Sequence, residues 1–197
     1  MDMIRTFVAI SISDEARSAI FFLIDKLKKI ESSIRWVDPS NLHLTLKFIG
    51  EIEKNRQKNL VEALDLSVKD ISAFQYELSG KGCFPNCKQS RVLWIGVNDL
   101  KEKMSALQKQ IDNNFYSVQI PRENRNFKPH LTIGRVKQNR KPGTILSKFE
   151  QFQLGEFVVD VGEVYLMKSE LLPTGAKYSI LHSASLTASN SEFMDKS

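Results

Sequence analysis

Four consecutive positions recur in this chain, His43-Leu44-Thr45-Leu46 and His130-Leu131-Thr132-Ile133, 87 positions apart, and they use two of its three histidines. The first copy lies in a clean alternation: Leu42, Leu44, Leu46 and Phe48 on one side, His43, Thr45 and Lys47 on the other. Period-two alternation marks a strand with one buried face, and on a strand residues i and i+2 point the same way. Each copy therefore presents one imidazole beside one hydroxyl, with its aliphatic residues turned into an apolar layer. A duplicated strand of this kind constrains the fold to two similar halves contributing to one site.

The remaining patterns fit that frame. Met3 to Ile12 reads as a strand, and Ser13 or Asp14 can cap a following helix. That helix carries Ala16, Ala19, Ile20, Leu23, Ile24, Leu27 and Ile30 at helical spacing. Ile34 to Val37 is a short strand, Asp38 to Asn41 a turn, and Gly50 ends the first motif strand. A polar helix from Glu53 to Val68 buries Leu60, Ala63, Leu64 and Val68. Phe74 to Leu78 and Arg91 to Val97 read as strands. Asp99 and Glu102 then stand in capping-box spacing before a stripe of Leu100, Met104, Leu107, Ile111 and Phe115. The strand His130 to Val136, a short helix at Ile145 to Phe152, and strands Phe157 to Ser169 and Lys177 to Leu186 complete the chain. This order is α+β. No linker-like run divides it, so residues 1–186 are expected to form one domain with two lobes and a cleft, and 187–197 a polar, flexible tail.

Composition narrows the class. With 197 residues, 42% hydrophobic and 26% charged, the chain is an ordinary globular one with material for a sizeable core. Its longest aliphatic and aromatic run, Ala19 to Ile24, is far short of a membrane span. Asp2 and Arg5 break any signal-peptide layout, which predicts a cytoplasmic protein. In that compartment Cys83 and Cys87 are expected to be free thiols, and they lack a second pair for zinc. The net charge of +5 suits a polyanionic partner. Much of it concentrates between Arg122 and Lys141, where seven Lys and Arg accompany a single acid, Glu123, around the second motif. The plain reading of such a run is a solvated loop.

Two converging imidazoles suit phosphodiester chemistry. A neutral one takes a proton from the attacking oxygen and a protonated one supplies the leaving oxygen, since histidine titrates near operating pH. The hydroxyls of Thr45 and Thr132 can donate to non-bridging phosphate oxygens. A metal site is the competing chemistry, but neither motif has a carboxylate at ligand spacing. His182, in Ser-Ile-Leu-His-Ser beside Ile180, reads as structural.

The motifs and their surroundings resemble a known family. The matching phrases are Ile4 to Ile10, Trp36-Val37 through His43 to Gly50, Gly82-Cys83-Phe84-Pro85, Arg91 to Val97, and Phe127-Lys128-Pro129-His130-Leu131-Thr132-Ile133-Gly134-Arg135. Together they resemble the LigT-type two-histidine phosphoesterases, the RNA 2′,3′-cyclic phosphodiesterases, also called 2′-5′ RNA ligases. The resemblance implies a bilobal α+β fold, with pseudo-twofold lobes whose antiparallel sheets line a central cleft. It implies hydrolysis of a terminal 2′,3′-cyclic phosphate to a 2′-phosphate without metal or other cofactor, and joining of RNA ends through a 2′-5′ linkage in the reverse direction. Carried over, His43 is the proton donor to the leaving 3′ oxygen, His130 the base that activates water, and Thr45 and Thr132 hold the phosphate. Arg135 follows the motif as a phosphate ligand, although strict alternation points it away from His130 unless a bulge near Gly134 brings it round.

Phe48, Phe84 and Trp94 are candidates for stacking a base, with core packing the expectation for Phe48 and Trp94. The substrates expected are RNA ends or small cyclic-phosphate nucleotides, acted on by a monomer that needs neither membrane nor protein partner. An alternative from another class is a module that acts mainly by binding RNA ends, through the basic stretch from Arg122 to Lys141.

Overall fold

The structure, a computed structural model, describes residues 2–30, 33–99, 101–138, 140, 143–173 and 175–188. Among these described residues nine strands form two antiparallel sheets. The first has the order β3-β1-β8-β9, from β1 (Met3–Ile10), β3 (Leu44–Glu53), β8 (Glu163–Leu172) and β9 (Gly175–Ser185). The second has the order β2-β6-β5-β4-β7, from β2 (Ile34–Trp36), β4 (Phe74–Phe84), β5 (Val92–Asn98), β6 (His130–Val136) and β7 (Phe157–Val161). Each motif strand pairs with the strand that opens its half, β3 with β1 and β6 with β5.

Helices cover one face of each sheet. The first sheet packs against α2 (Gln57–Val68) and α3 (Lys103–Ser117), whereas α1 (Asp14–Lys28) and α4 (Ile145–Gln151) pack together beside β2 of the second. The helix after β1 thus serves the second sheet, and the helix after β5 serves the first. The start of α1 follows from its sequence: Ser13 Oγ accepts the Ala16 amide at 3.2 Å, and Asp14 and Glu15 lie at the positive end of the helix dipole. Its predicted stripe is buried at Ala16, Ile20, Leu23, Ile24 and Leu27, but Ile30 lies past the helix end and is exposed. Asp99 caps α3 through the amides of Met104 and Ser105. Met104, Leu107, Ile111 and Phe115 are fully buried, while Leu100 lies outside the described residues.

Some expectations change. Gly50 does not end β3; it takes φ +89° within the strand, which runs on to Glu53. The apolar run from Phe157 to Ser169 is two strands that join different sheets, β7 pairing with β4 and β8 with β1, and the chain crosses between them at Gly162. Cys83 and Cys87 are not free thiols but a disulfide, because the 3-10 turn at Cys87–Gln89 folds back on the end of β4 and brings the Cα atoms to 5.1 Å. Thr187, assigned to the tail, is tied to the start of β4: its amide donates to the Ile71 carbonyl at 2.9 Å and its carbonyl accepts the Ala73 amide at 2.8 Å. Among the described residues no helix is long and apolar enough to cross a membrane.

Candidate active site

Both motif strands show the same burial sequence. Leu44 to Phe48 and Leu131 to Arg135 each run buried, half-buried, buried, buried, exposed. Two successive buried residues break simple alternation, and the strand pairing shows why. Opposite β1, Val8 and Ala9 face Lys47 and Thr45, so Leu46 is an extra residue. Opposite β5, Leu93 and Trp94 face Gly134 and Thr132, so Ile133 is extra. A β-bulge therefore falls at the fourth residue of each motif and reverses the facing of the two residues that follow it; in β3 a second bulge at Ile49 reverses it again. Arg135 comes round to the face of His130 and Thr132, as a bulge next to Gly134 requires.

The reversal has a different outcome in the other copy. Lys47 turns away from Thr45 into the interior, where its ammonium pairs with Asp112 of α3 and donates to the Pro121 carbonyl at 2.9 Å. Phe48 swings out and is 60% exposed, contrary to the core role expected for it. At the position matching Lys47, Gly134 packs so closely that an added Cβ would lie 2.8 Å from Ile34 Cγ2.

The two histidines are held alike. His43 Nδ1 lies 2.7 Å from the Asn41 carbonyl and His130 Nδ1 lies 2.8 Å from the Lys128 carbonyl, each two residues upstream. A carbonyl only accepts, so Nδ1 carries a proton in both rings and Nε2 is the nitrogen left for chemistry. Each ring also meets an aromatic edge-to-face: Tyr178 against His43 at 5.1 Å and 86°, Phe84 against His130 at 5.0 Å and 87°. Phe7 lies beneath His43 at 4.8 Å, and Trp94 beneath Phe84 at 5.2 Å. Trp94 is half-buried, and its indole lies across Gly82, where a Cβ would overlap Trp94 Cζ2.

Electrostatics joins the two lobes. Burial pushes the His43 imidazole below its ordinary value, with the bond to Asn41 acting the other way. Burial raises the Tyr178 phenol, and the guanidinium groups of Arg135 and Arg5 oppose that rise. Arg135 belongs to β6, and Tyr178 to β9 in the other lobe, where it touches His43. Since β3 and β6 are also in direct contact, the structure brings the strand of His43 and Thr45 beside the strand of His130, Thr132 and Arg135. Tyr178 and Phe7 were missed from sequence: their place beside His43 depends on β9 and β1 joining the same sheet. His182 is elsewhere. A register shift between Leu166 and Met167 separates it from Ile180, and its Nε2 bonds Asp65 of α2 at 2.7 Å, a structural tie.

Known proteins of the same fold and family are found by comparison. The family model described as the 2′-5′ RNA ligase superfamily matches residues 15–171. A Methanothermobacter thermautotrophicus protein named RNA 2′,3′-cyclic phosphodiesterase is 32% identical over 89% of this chain and 95% of its own. A Methanocaldococcus jannaschii protein of the same name is 34% identical over 90% and 98%. The crystal structure of E. coli LigT complexed with 3′-AMP superposes with a TM-score of 0.74 at 25% identity, covering 94% of this chain and 99% of that one. With its bilobal α+β architecture and two bulged His-x-Thr strands, the chain belongs to the 2′-5′ RNA ligase superfamily.

Proposed function

We propose that the protein is an RNA 2′,3′-cyclic phosphodiesterase that opens a terminal cyclic phosphate to a 2′-phosphate by metal-independent acid–base catalysis. The observation that carries this reading is the matched pair of imidazoles, each with Nδ1 tied to a carbonyl and Nε2 free, on strands that meet across the cleft. The names of its relatives support it.

In this mechanism neutral His130 takes a proton from water through Nε2 as the water oxygen attacks phosphorus. Protonated His43 gives its Nε2 proton to the 3′ oxygen as the P–O3′ bond breaks. Thr45, Thr132 and Arg135 hold the non-bridging oxygens where negative charge builds. A 5′-hydroxyl in place of water yields a 2′-5′ linkage by the same step. His43 is half-buried, and its burial disfavours its charged form in the free protein. An anionic phosphate entering the cleft stabilises the imidazolium, so the donor is armed by its own substrate.

The first prediction tests these roles. His43→Ala and His130→Ala should each lower kcat by about 10²–10⁴. Chromatography of the wild-type product should show a 2′-phosphate, and turnover should persist in a chelator. Near-normal kcat in either variant, or a 3′-phosphate product, refutes the scheme. A module that acts mainly by binding RNA is the second reading, motivated by the basic stretch around His130. The structure uses part of that charge internally, pairing Arg125 with Glu123 at 3.1 Å and laying Arg122 over the Tyr116 ring at 4.7 Å. That reading requires tight, salt-dependent binding of RNA without a cyclic phosphate.

A further inference from the structure

The second sheet carries an arginine that the proposed reaction leaves unused. Arg35 lies in β2, the edge strand, where the register sets it directly opposite Arg135 of β6. Gly134 fixes which way it points. A Cβ on Gly134 would meet Ile34 Cγ2 and the Trp36 ring, so Ile34 and Trp36 occupy the interior face. Arg35, between them, projects from the opposite face, that of Arg135, Thr132 and His130, and it is exposed. The Lys137 amide donates to the Ser33 carbonyl at 2.8 Å. The pairing therefore runs on past the end of β6, and Lys137 follows Arg135 on the same face.

Among the described residues, none of these three cations enters an ion pair. By contrast, Arg56 donates to the Val118 carbonyl and Arg125 pairs with Glu123. Asp38, three residues beyond Arg35, is committed to the amide and hydroxyl of Ser40. The row of Arg35 and Arg135 continues through Val92 to Phe84, and the adjoining row runs from Thr132 through Trp94 to Gly82. Neither row holds a carboxylate. Side chains directly opposite on antiparallel strands have Cβ atoms about 5 Å apart, and like charges there repel. An anion lying over both guanidinium groups removes that repulsion, and phosphate is the anion that their planar donors fit.

The side of the reaction on which these groups lie identifies their ligand. His43 protonates the leaving 3′ oxygen, and in-line displacement puts the attacking oxygen on the far side of phosphorus, against His130. The nucleotide carrying the cyclic phosphate thus lies on the His43 side, and whatever attacks comes in over the second sheet. Water entering there needs no row of cations. A polynucleotide that attacks through its 5′-hydroxyl brings phosphodiester groups with it. We propose that Arg35 and Lys137, next to Arg135, form the phosphate site for that attacking strand. In the step it serves, the 5′-hydroxyl proton passes to His130 Nε2 as the O5′–P bond forms. The P–O3′ bond breaks, and the 3′ oxygen takes the His43 proton. The inference rests on the phosphodiesterase reading above and assigns the place of its second substrate.

The test is a partition. Adenosine 2′,3′-cyclic phosphate is the donor. The acceptor is either a 5′-hydroxyl dinucleotide with one phosphodiester or adenosine, whose 5′-hydroxyl comes without a phosphate. The ratio of 2′-5′-linked to hydrolysed product is taken from initial rates at subsaturating acceptor, in wild type, Arg35→Ala and Arg35→Lys. In wild type this ratio should be about tenfold higher for the dinucleotide than for adenosine, the scale of one charge-assisted contact. Arg35→Ala should lose most of that preference, and Arg35→Lys should keep part of it. The preference should fall with salt more steeply in wild type than in Arg35→Ala, because counterions released by phosphate pairing set the slope. Both products come from one donor in one reaction, so a loss of folding or of overall rate cancels. A preference unchanged in Arg35→Ala overturns the site. So does an unchanged partition accompanied by slower hydrolysis of a dinucleotide donor, which would put the phosphate on the donor strand instead. Hydrolysis by wild type without any linked product overturns the site and leaves the phosphodiesterase reading intact. Absence of hydrolysis overturns both.

Discussion

At the scale of single residues, the two motif histidines are oriented alike, each with Nδ1 fixed to a carbonyl two residues upstream. The protonation of His43 is set by its surroundings: burial lowers its pKa. The unfolded chain restores an ordinary imidazole, near about 6.5. Folding therefore prefers neutral His43, and this contribution to stability is fully present above the unfolded value. It is lost as pH falls through the folded value, because there the unfolded state binds the extra proton first. Proton NMR should show the His43 ring titrating below about 6.5 in the free protein, and moving upward when a 2′-phosphate product occupies the cleft. Denaturant titrations should show wild type losing more stability than His43→Gln between neutral and mildly acid pH. A His43 midpoint at or above the ordinary value, unmoved by product, removes the argument that substrate arms the donor.

At the scale of elements, the bulge decides what each motif can do. Sequence alternation correctly placed His43 with Thr45 and His130 with Thr132, because those pairs precede the bulge. It misplaced Lys47 and Phe48, because one extra residue at Leu46 exchanges the faces of the residues up to the second bulge at Ile49. Nothing local announces that extra residue; it is a count set against β1 and β5. The partner that makes burial of Lys47 tolerable, Asp112, is 65 residues away in sequence. The pair has an energetic signature. Lys47→Met leaves the Asp112 carboxylate mostly buried without its cation and should lower unfolding stability by about 3–5 kcal/mol in denaturant titration. Adding Asp112→Leu should recover much of that loss, and recovery of nothing would show that Lys47 acts by packing alone. In the other strand, Gly134→Ala drives a Cβ against Ile34 Cγ2 and Trp36 and should cost about 1–3 kcal/mol by overpacking. If the bulge shifts to relieve it, the loss appears in kcat through Arg135 instead.

At the scale of the whole molecule, the two halves are interleaved, which no motif in the sequence reveals. β2 comes from the first half of the chain yet forms an edge of the second sheet, while β8 and β9 come from its end and complete the first. The helices are exchanged in the same sense, α1 beside β2 and α3 against β3. Neither sheet can lose its strands without pulling on the chain that forms the other. The chain's two tryptophans allow a direct test, because both belong to the second sheet, Trp36 in β2 and Trp94 in β5. Tryptophan fluorescence therefore reports that sheet alone, whereas far-ultraviolet circular dichroism reports the helices and strands of both. If the interleaving couples the lobes, the two signals should fall together in urea and give one midpoint and one m-value, as a two-state transition requires. Separate midpoints would mean that each lobe unfolds by itself, and the cleft would then be a contact between independent bodies rather than a product of one fold.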